Sequence, residues 1–263
     1  CKINKIMFEI FPIRAFSDNY MWTLIEGDQA IVVDPGEAKP VIDTFDKKNL
    51  NLSSIVITHH HFDHTGGLVE LKDHFNCEVY GPGGGHIEGI SSPLNDNEEF
   101  DLLGKKFIAL HTPAHTLDQL AYYSEEACSD PILFCGDTLF SAGCGRIFEG
   151  TPLQMHDSLS RFANLPENTL VYCGHEYTQS NLAFAAAVEP DNQFIQDKIK
   201  EVNNLRGQDK ETLPSDIASE LKINPFMRCN ESTVVDAAVN YSGKELKEPH
   251  EVLGAIRDWK DNF

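Results

Sequence analysis

The stretch Thr58-His59-His60-His61-Phe62-Asp63-His64-Thr65-Gly66-Gly67 constrains this chain more than any other. An apolar, β-branched run, Ile55-Val56-Ile57, precedes it, as in a strand buried on both faces. Leu68, Leu71 and Phe75 follow, spaced three and four apart like the core-facing side of a helix. The ten residues therefore occupy a strand-to-helix turn, where a rigid scaffold presents side chains outward. Among them is the pattern His-x-His-x-Asp-His, which sets three imidazoles and a carboxylate within six residues.

Imidazole nitrogen and carboxylate oxygen suit zinc, iron or manganese. His59 and His61 alternate in an extended segment and can point the same way, whereas His60 between them faces the opposite side and is expected to be a spectator. Asp63 and His64 come after the chain has begun to turn and can serve a different centre. A solvated histidine-rich loop would account for one or two such residues. Four ligand-type residues at this spacing argue for a metal centre.

Strand-like runs open the chain at residues 8–11, 20–25 and 30–33, closing in the turn Asp34-Pro35-Gly36. A helix over 39–48 leads to the strand before the histidines. A second helix over 67–75 then leads to a strand at 78–80. The run Gly81-Pro82-Gly83-Gly84-Gly85 reads as a loop, because Pro82 breaks any phosphate-cradling fingerprint. Further strands are expected at 106–110, 119–123, 132–135 and 169–173. Strands with interposed helices predict an α/β (α+β layered) domain over 1–175. From Tyr177 the periodicity turns helical, through an Ala-rich stretch at 182–188, then Ile195, Ile199, Val202 and Leu205, Ile217 and Leu221, and 251–260. Residues 176–263 are thus expected to form a helical domain.

Other ligand types stand where core strands end: His115 in Thr112-Pro113-Ala114-His115-Thr116, Asp137 after Phe134-Cys135-Gly136, and His175 after Tyr172-Cys173-Gly174. His111, before the turn that carries His115, is expected to be a spectator. Seven candidates suit two ions better than one, and a carboxylate, with two oxygens, makes Asp137 the natural shared ligand. Asp63 reads as a ligand, with a free general base as the lesser alternative.

Acidic residues outnumber basic ones 41 to 21, a formal charge of −20 that opposes nucleic acid and anionic membranes as partners. No apolar run approaches the roughly 18–20 residues of a membrane span. Residues 1–6 lack the apolar core of a signal peptide; Met7 can serve as the natural start, with residues 1–6 then an upstream extension. The seven cysteines are scattered without a C-x-x-C, and read as reduced thiols of a cytoplasmic protein.

The sequence of T-H-x-H-x-D-H, P-x-H-T, G-D-T and G-H-E-Y-T resembles the metallo-β-lactamase superfamily. Within it the chain resembles glyoxalase II, the hydroxyacylglutathione hydrolases, of bacterial type. The most specific segments are Gly136-Asp137-Thr138-Leu139-Phe140, Ala142-Gly143-Cys144-Gly145-Arg146, Phe148-Glu149-Gly150-Thr151, His175-Glu176-Tyr177-Thr178 and a closing Arg257-x-x-Lys260-Asp261-x-Phe263. The resemblance implies an αββα sandwich with a helical substrate domain. It implies one ion on His59, His61 and His115, a second on Asp63, His64 and His175, and Asp137 bridging. Two divalent ions follow, zinc first, with iron or manganese also suited to the donors. The implied substrate is S-D-lactoylglutathione, or another S-2-hydroxyacylglutathione, hydrolysed in methylglyoxal detoxification to D-lactate and glutathione by a monomer. The implied chemistry is attack on the thioester carbonyl by a hydroxide that two ions would supply, with Asp63 and Asp137 as the expected catalytic carboxylates. Glutathione is implied to lie on Arg146, Phe148, Tyr177, Arg257 and Lys260. Arg146 and Phe148 replace the Lys and Tyr of the animal pattern, and Phe148 has no hydroxyl to donate. The rival readings are a mononuclear-iron glutathione persulfide dioxygenase of the same superfamily and a non-catalytic metal-binding module. A β-lactamase is disfavoured because those enzymes carry Cys where this chain has Asp137.

Overall fold

The β-branched and aromatic runs at the start of the chain make β1 (Glu9–Ala15), β2 (Asn19–Glu26) and β3 (Gln29–Val33), joined by turns into an antiparallel meander. In the computed structural model, which describes residues 7–263, two compact units are seen. The reading of residues 1–6, Cys1 included, as an upstream extension lies outside the described residues. The first unit runs to His111 and resumes over 118–136; the second comprises 112–117 and 137–263.

In the first unit β3 is followed by α1 (Ala38–Lys48), β4 (Asn51–Val56), α2 (Phe62–Thr65), α3 (Leu68–Phe75), β5 (Glu78–Pro82) and β6 (Ser92–Leu94). The helices act as crossovers from β3 to β4 and from β4 to β5, a loop joins β5 to β6, and the four strands pair in parallel to complete a sheet of order β1-β2-β3-β4-β5-β6. Val41 and Phe45 of α1 and Leu68 and Leu71 of α3 bury against Val32, Leu52, Ile55 and Val79 of that sheet. Asn49 and Asn76 end the two helices in the left-handed conformation that asparagine tolerates. Antiparallel strands β7 (Glu99–Leu102), β8 (Lys105–His111), β9 (Leu120–Ser124) and β10 (Ile132–Gly136) belong to a second sheet. Phe100 bridges the layers, its ring 5.2 Å from Tyr80 and 5.6 Å from Tyr122. The Tyr122 hydroxyl donates to the Ile57 carbonyl, and the Leu120 amide donates to the Thr58 carbonyl at 2.9 Å. The entry to the histidine turn is thereby held by two residues of β9.

The second unit holds the hairpin β11 (Leu139–Phe140) and β12 (Gly143–Cys144), α4 (Pro152–Ala163), β13 (Leu170–Cys173), α5 (Thr178–Val188), α6 (Gln193–Arg206), β14 (Ser215–Asp216), α7 (Ile217–Ile223), a 3₁₀ turn (Pro225–Met227), α8 (Ser232–Ser242) and α9 (Pro249–Asp261). Thr151 and Gln154 form a capping box at the start of α4, with Pro152 at its first turn. Ala142 of the hairpin packs with Leu182, Ala185, Ile195, Val202 and Ile223. Glu220, wholly buried, accepts from the Ala142 amide at 2.9 Å and from Asn224 Nδ2 at 2.9 Å, and also from the Ser215 hydroxyl.

The glycine-rich run is only partly loop: Gly81 and Pro82 finish β5, opposite Pro93 and Leu94 of β6. Pro82 fits there because it is the last residue of β5, beyond the Val56–Tyr80 pair that ends the ladder with β4. Among the described residues no helix is long and apolar enough to cross a membrane.

Candidate metal centre

In the first unit the turn after β3 organises the histidines. Asp34 Oδ1 accepts the Thr58 amide at 2.7 Å, and Oδ2 accepts the Thr58 hydroxyl at 2.7 Å. That hydroxyl proton is committed to Asp34, so Thr58 Oγ1, 3.0 Å from His59 Nδ1, accepts the imidazole proton. His64 Nδ1 lies 3.0 Å from the same Asp34 Oδ2. One buried carboxylate thus fixes two rings by their Nδ1 atoms and leaves each Nε2 as the ligand nitrogen. His59 Nε2 sits 3.1 Å from His61 Nδ1, and His64 Nε2 3.4 Å from Asp63 Oδ2. Asn19 Nδ2 donates to Asp63 Oδ2 at 2.9 Å and holds that carboxylate in place. A Cβ at Gly36 would come within 2.1 Å of the Asp63 carbonyl, so only glycine lets the two turns approach.

In the second unit His115, Asp137 and His175 converge, all buried. His115 Nε2 lies 3.5 Å, and His175 Nε2 3.3 Å, from Asp137 Oδ2. His115 Nδ1 donates to the Arg146 carbonyl at 2.9 Å, which again reserves Nε2. A Cβ at Gly145 would fall 2.0 Å from the Asp137 carbonyl and 3.0 Å from His115 Nδ1. The glycine of Gly-Cys-Gly-Arg is there for backbone approach.

The expected glutathione residues lie in this unit too. Tyr177 stacks on His175, ring centroids 4.7 Å apart and 7° from parallel. Phe148, 60% exposed, stands edge-on to His115 at 5.2 Å. Arg146 is exposed, with Nε 3.4 Å from Asp261 Oδ1. Arg257 is buried: Nη1 donates to the Cys144 carbonyl at 2.8 Å, Nη2 to Asp261 Oδ1 at 3.0 Å, and its guanidinium lies over Phe226. Lys260 Nζ donates to the Ser180 carbonyl at 3.1 Å over the ring of Phe184. Burial, and then the Arg257 charge beside it, lower the Lys260 ammonium to about 8.

His60 Nδ1 faces Asp118 Oδ1 at 3.0 Å, while its ring stays 5.0 Å from that of His61. His111 ends β8, exposed, with its amide donating to Asp96. Asp34 and Asn19 were not singled out from sequence; an Asp-Pro-Gly triplet reads as a turn, and nothing local tells that its carboxylate reaches two imidazoles.

The donors fit divalent transition metals: neutral imidazole nitrogens pre-oriented by oxygen partners, and carboxylates able to bind or bridge.

Residues 18–175 match the family model described as metallo-beta-lactamase superfamily, and residues 176–263 the model described as hydroxyacylglutathione hydrolase C-terminus. A protein named hydroxyacylglutathione hydrolase from Pseudomonas paraeruginosa is 48% identical over 260 residues, covering 98% of this chain and 100% of the relative. One of the same name from Dechloromonas aromatica is 46% identical over 270 residues, with the same coverage. Among solved structures, ETHE1 from Myxococcus xanthus superposes with a TM-score of 0.64 at 22% identity, covering 97% of this chain and 98% of that one. The di-iron-bound form of TTHA1623 gives 0.58 at 22%, covering 82% and 99%. At such identity the structural likeness shows the metallo-β-lactamase fold.

Proposed function

The chain belongs to the hydroxyacylglutathione hydrolase family, thioester hydrolases on the metallo-β-lactamase fold, and from that membership we propose that it converts S-D-lactoylglutathione to D-lactate and glutathione. Other S-2-hydroxyacylglutathiones are further substrates, and the reaction disposes of methylglyoxal. The observation that carries the reading is the aim of His115 and His175 Nε2 at one oxygen of Asp137.

We assign His59, His61 and His115 to one ion, Asp63, His64 and His175 to a second, and Asp137 to both. Bound there, zinc, iron or manganese would supply Lewis-acid activation of water and of the thioester carbonyl. The chain's own work is orientation. Asp34 fixes the His59 and His64 tautomers, directly or through Thr58, and Asn19 keeps Asp63 a ligand rather than a swinging base. The leaving group is an ordinary thiolate, of pKa about 8.5, so no residue is needed to protonate it. We assign substrate binding to residues 176–263 and catalysis to residues 1–175. Lys260 and Arg146 supply positive charge for the tripeptide carboxylates, Tyr177 a hydroxyl, and Phe148 an exposed face for packing. Arg257 acts chiefly by holding the Cys144 carbonyl and Asp261. The protein acts as a cytoplasmic monomer, a setting supported by free thiols at all six described cysteines.

Hydrolysis of S-D-lactoylglutathione, measured with metal content, tests this. Asp137→Ala should release both ions and abolish turnover. A fully metallated wild-type protein inert on that thioester overturns the substrate. A fully active enzyme with one tightly bound ion overturns the two-ion assignment.

A further inference from the structure

Besides the ligands assigned above, three more donors meet in the first unit. His60 Nδ1 lies 3.0 Å from Asp118 Oδ1, and His86 Nε2 lies 2.7 Å from Asp118 Oδ2. The two imidazole rings stand 5.8 Å apart at 72°, and one donor atom from each of the three residues lies within 4.8 Å of the other two. Each comes from a different connection: His60 between β4 and α2, His86 between β5 and β6, and Asp118 just before β9. Donors about 2.0–2.2 Å from a tetrahedral ion lie roughly 3.3 Å apart. The two observed separations, each to a different oxygen of Asp118, are shorter than that figure by about 0.3 and 0.6 Å.

The setting is that of a site with one fixed wall and an open front. The Asp118 side chain is 11% exposed, against 34% for His60 and 43% for His86. The carboxylate is anchored while water can reach the other side. His86 closes the glycine-rich run that phosphate binding does not explain. Gly84 (φ +105°) and Gly85 (φ +73°) put the backbone before it in conformations other residues avoid, and a Cβ at Gly84 would press on His86 Nδ1 at 3.2 Å. The glycines let the His86 ring turn onto Asp118 and leave it free to shift by the fraction of an ångström an ion would ask. The net charge of −20 favours any cation there. Two imidazoles and one carboxylate select borderline transition ions over magnesium or calcium, which prefer all-oxygen sets.

We infer that His60, His86 and Asp118 form a third, exchangeable metal site that takes a divalent transition ion such as zinc, cobalt or nickel, with water in the remaining positions. A hydrogen-bonded His-Asp-His group with no affinity for metal is the competing account. Purified holoenzyme, His86→Ala and Asp118→Asn are dialysed against buffered zinc and then cobalt, and bound metal per chain is counted. Wild type is expected to bind one equivalent more than either variant, and the extra cobalt to show the visible absorption of a nitrogen-oxygen site. Thioester hydrolysis at low free zinc should be the same for His86→Ala and wild type. Equal metal counts in wild type and His86→Ala overturn the site, and because His86 is exposed this variant keeps the fold even if Asp118→Asn does not. The readout is a difference between proteins, so it stands whether or not the catalytic centre holds two ions.

Discussion

Asp34 shows how one residue can govern a site without touching the substrate. Its Oδ2 receives the Thr58 hydroxyl at 2.7 Å and faces His64 Nδ1 at 3.0 Å, so a lone carboxylate sets the ligand nitrogen of two histidines. Lys260 governs in another way, through its own proton. Burial lowers its ammonium to about 8, so the charge that would hold a glutathione carboxylate is lost as pH rises through that value. The kcat/KM profile reports the free enzyme, and should fall on its alkaline side with an apparent pKa of about 8. Lys260→Arg keeps its charge throughout, and should move that limb up by more than one pH unit while kcat changes little. An unchanged alkaline limb in Lys260→Arg would remove Lys260 from substrate binding. The same depressed ammonium makes the unfolded chain bind more protons above pH 8, so wild-type stability gains from this group between about 8 and 10.4.

At the scale of elements, the hairpin β11–β12 decides where Gly145 and Arg146 stand, and it is pinned by one helix. Glu220 of α7 accepts the Ala142 amide, while Asn224 Nδ2 donates to the Phe140 and Gly143 carbonyls at 3.2 and 2.9 Å. Glu220→Ala would leave a buried amide and a buried hydroxyl without their acceptor. That should cost about 2–6 kcal/mol in urea unfolding, at roughly 1–3 per orphaned group. Burial raises the Glu220 pKa, so its contribution to stability is full below the unfolded value of about 4.3 and declines as pH rises through the folded one. Glu220→Gln keeps most of the acceptor geometry and cannot ionise; its deficit against wild type should shrink as pH rises over that window. A constant deficit would mean Glu220 stays charged throughout. Such pinning was not legible in the sequence, because it joins residues 78 positions apart. The histidine turn was legible, since a buried strand, a helix start and four ligand types lie within one short window. The helix α4 was missed although Met155, Leu159 and Phe162 keep helical spacing, because Thr151 and Pro152 read as loop residues until their capping roles are seen. The edge strands β6 and β7 carry too few apolar residues to announce themselves.

Across the whole molecule the charge and the proposed substrate have the same sign. The chain carries −20, and S-D-lactoylglutathione about −1, from two carboxylates and one ammonium. At about 10 mM salt the Debye length is roughly 30 Å, so an approaching thioester senses most of that net charge and is repelled. Near 150 mM it falls to about 8 Å, and the substrate then senses only its nearest neighbours, Arg146 and Lys260 among them. Contacts made by the half-buried Lys260 are screened far less than the long-range field. The bimolecular constant kcat/KM should therefore rise, by about two- to fivefold, between those salt concentrations, with kcat unchanged. Arg146→Ala removes an exposed local attraction, so its kcat/KM should be lower at both concentrations and rise at least as steeply. A kcat/KM that instead falls with salt would show that a positive field already guides the substrate from a distance, and that the −20 is arranged away from the mouth of the site.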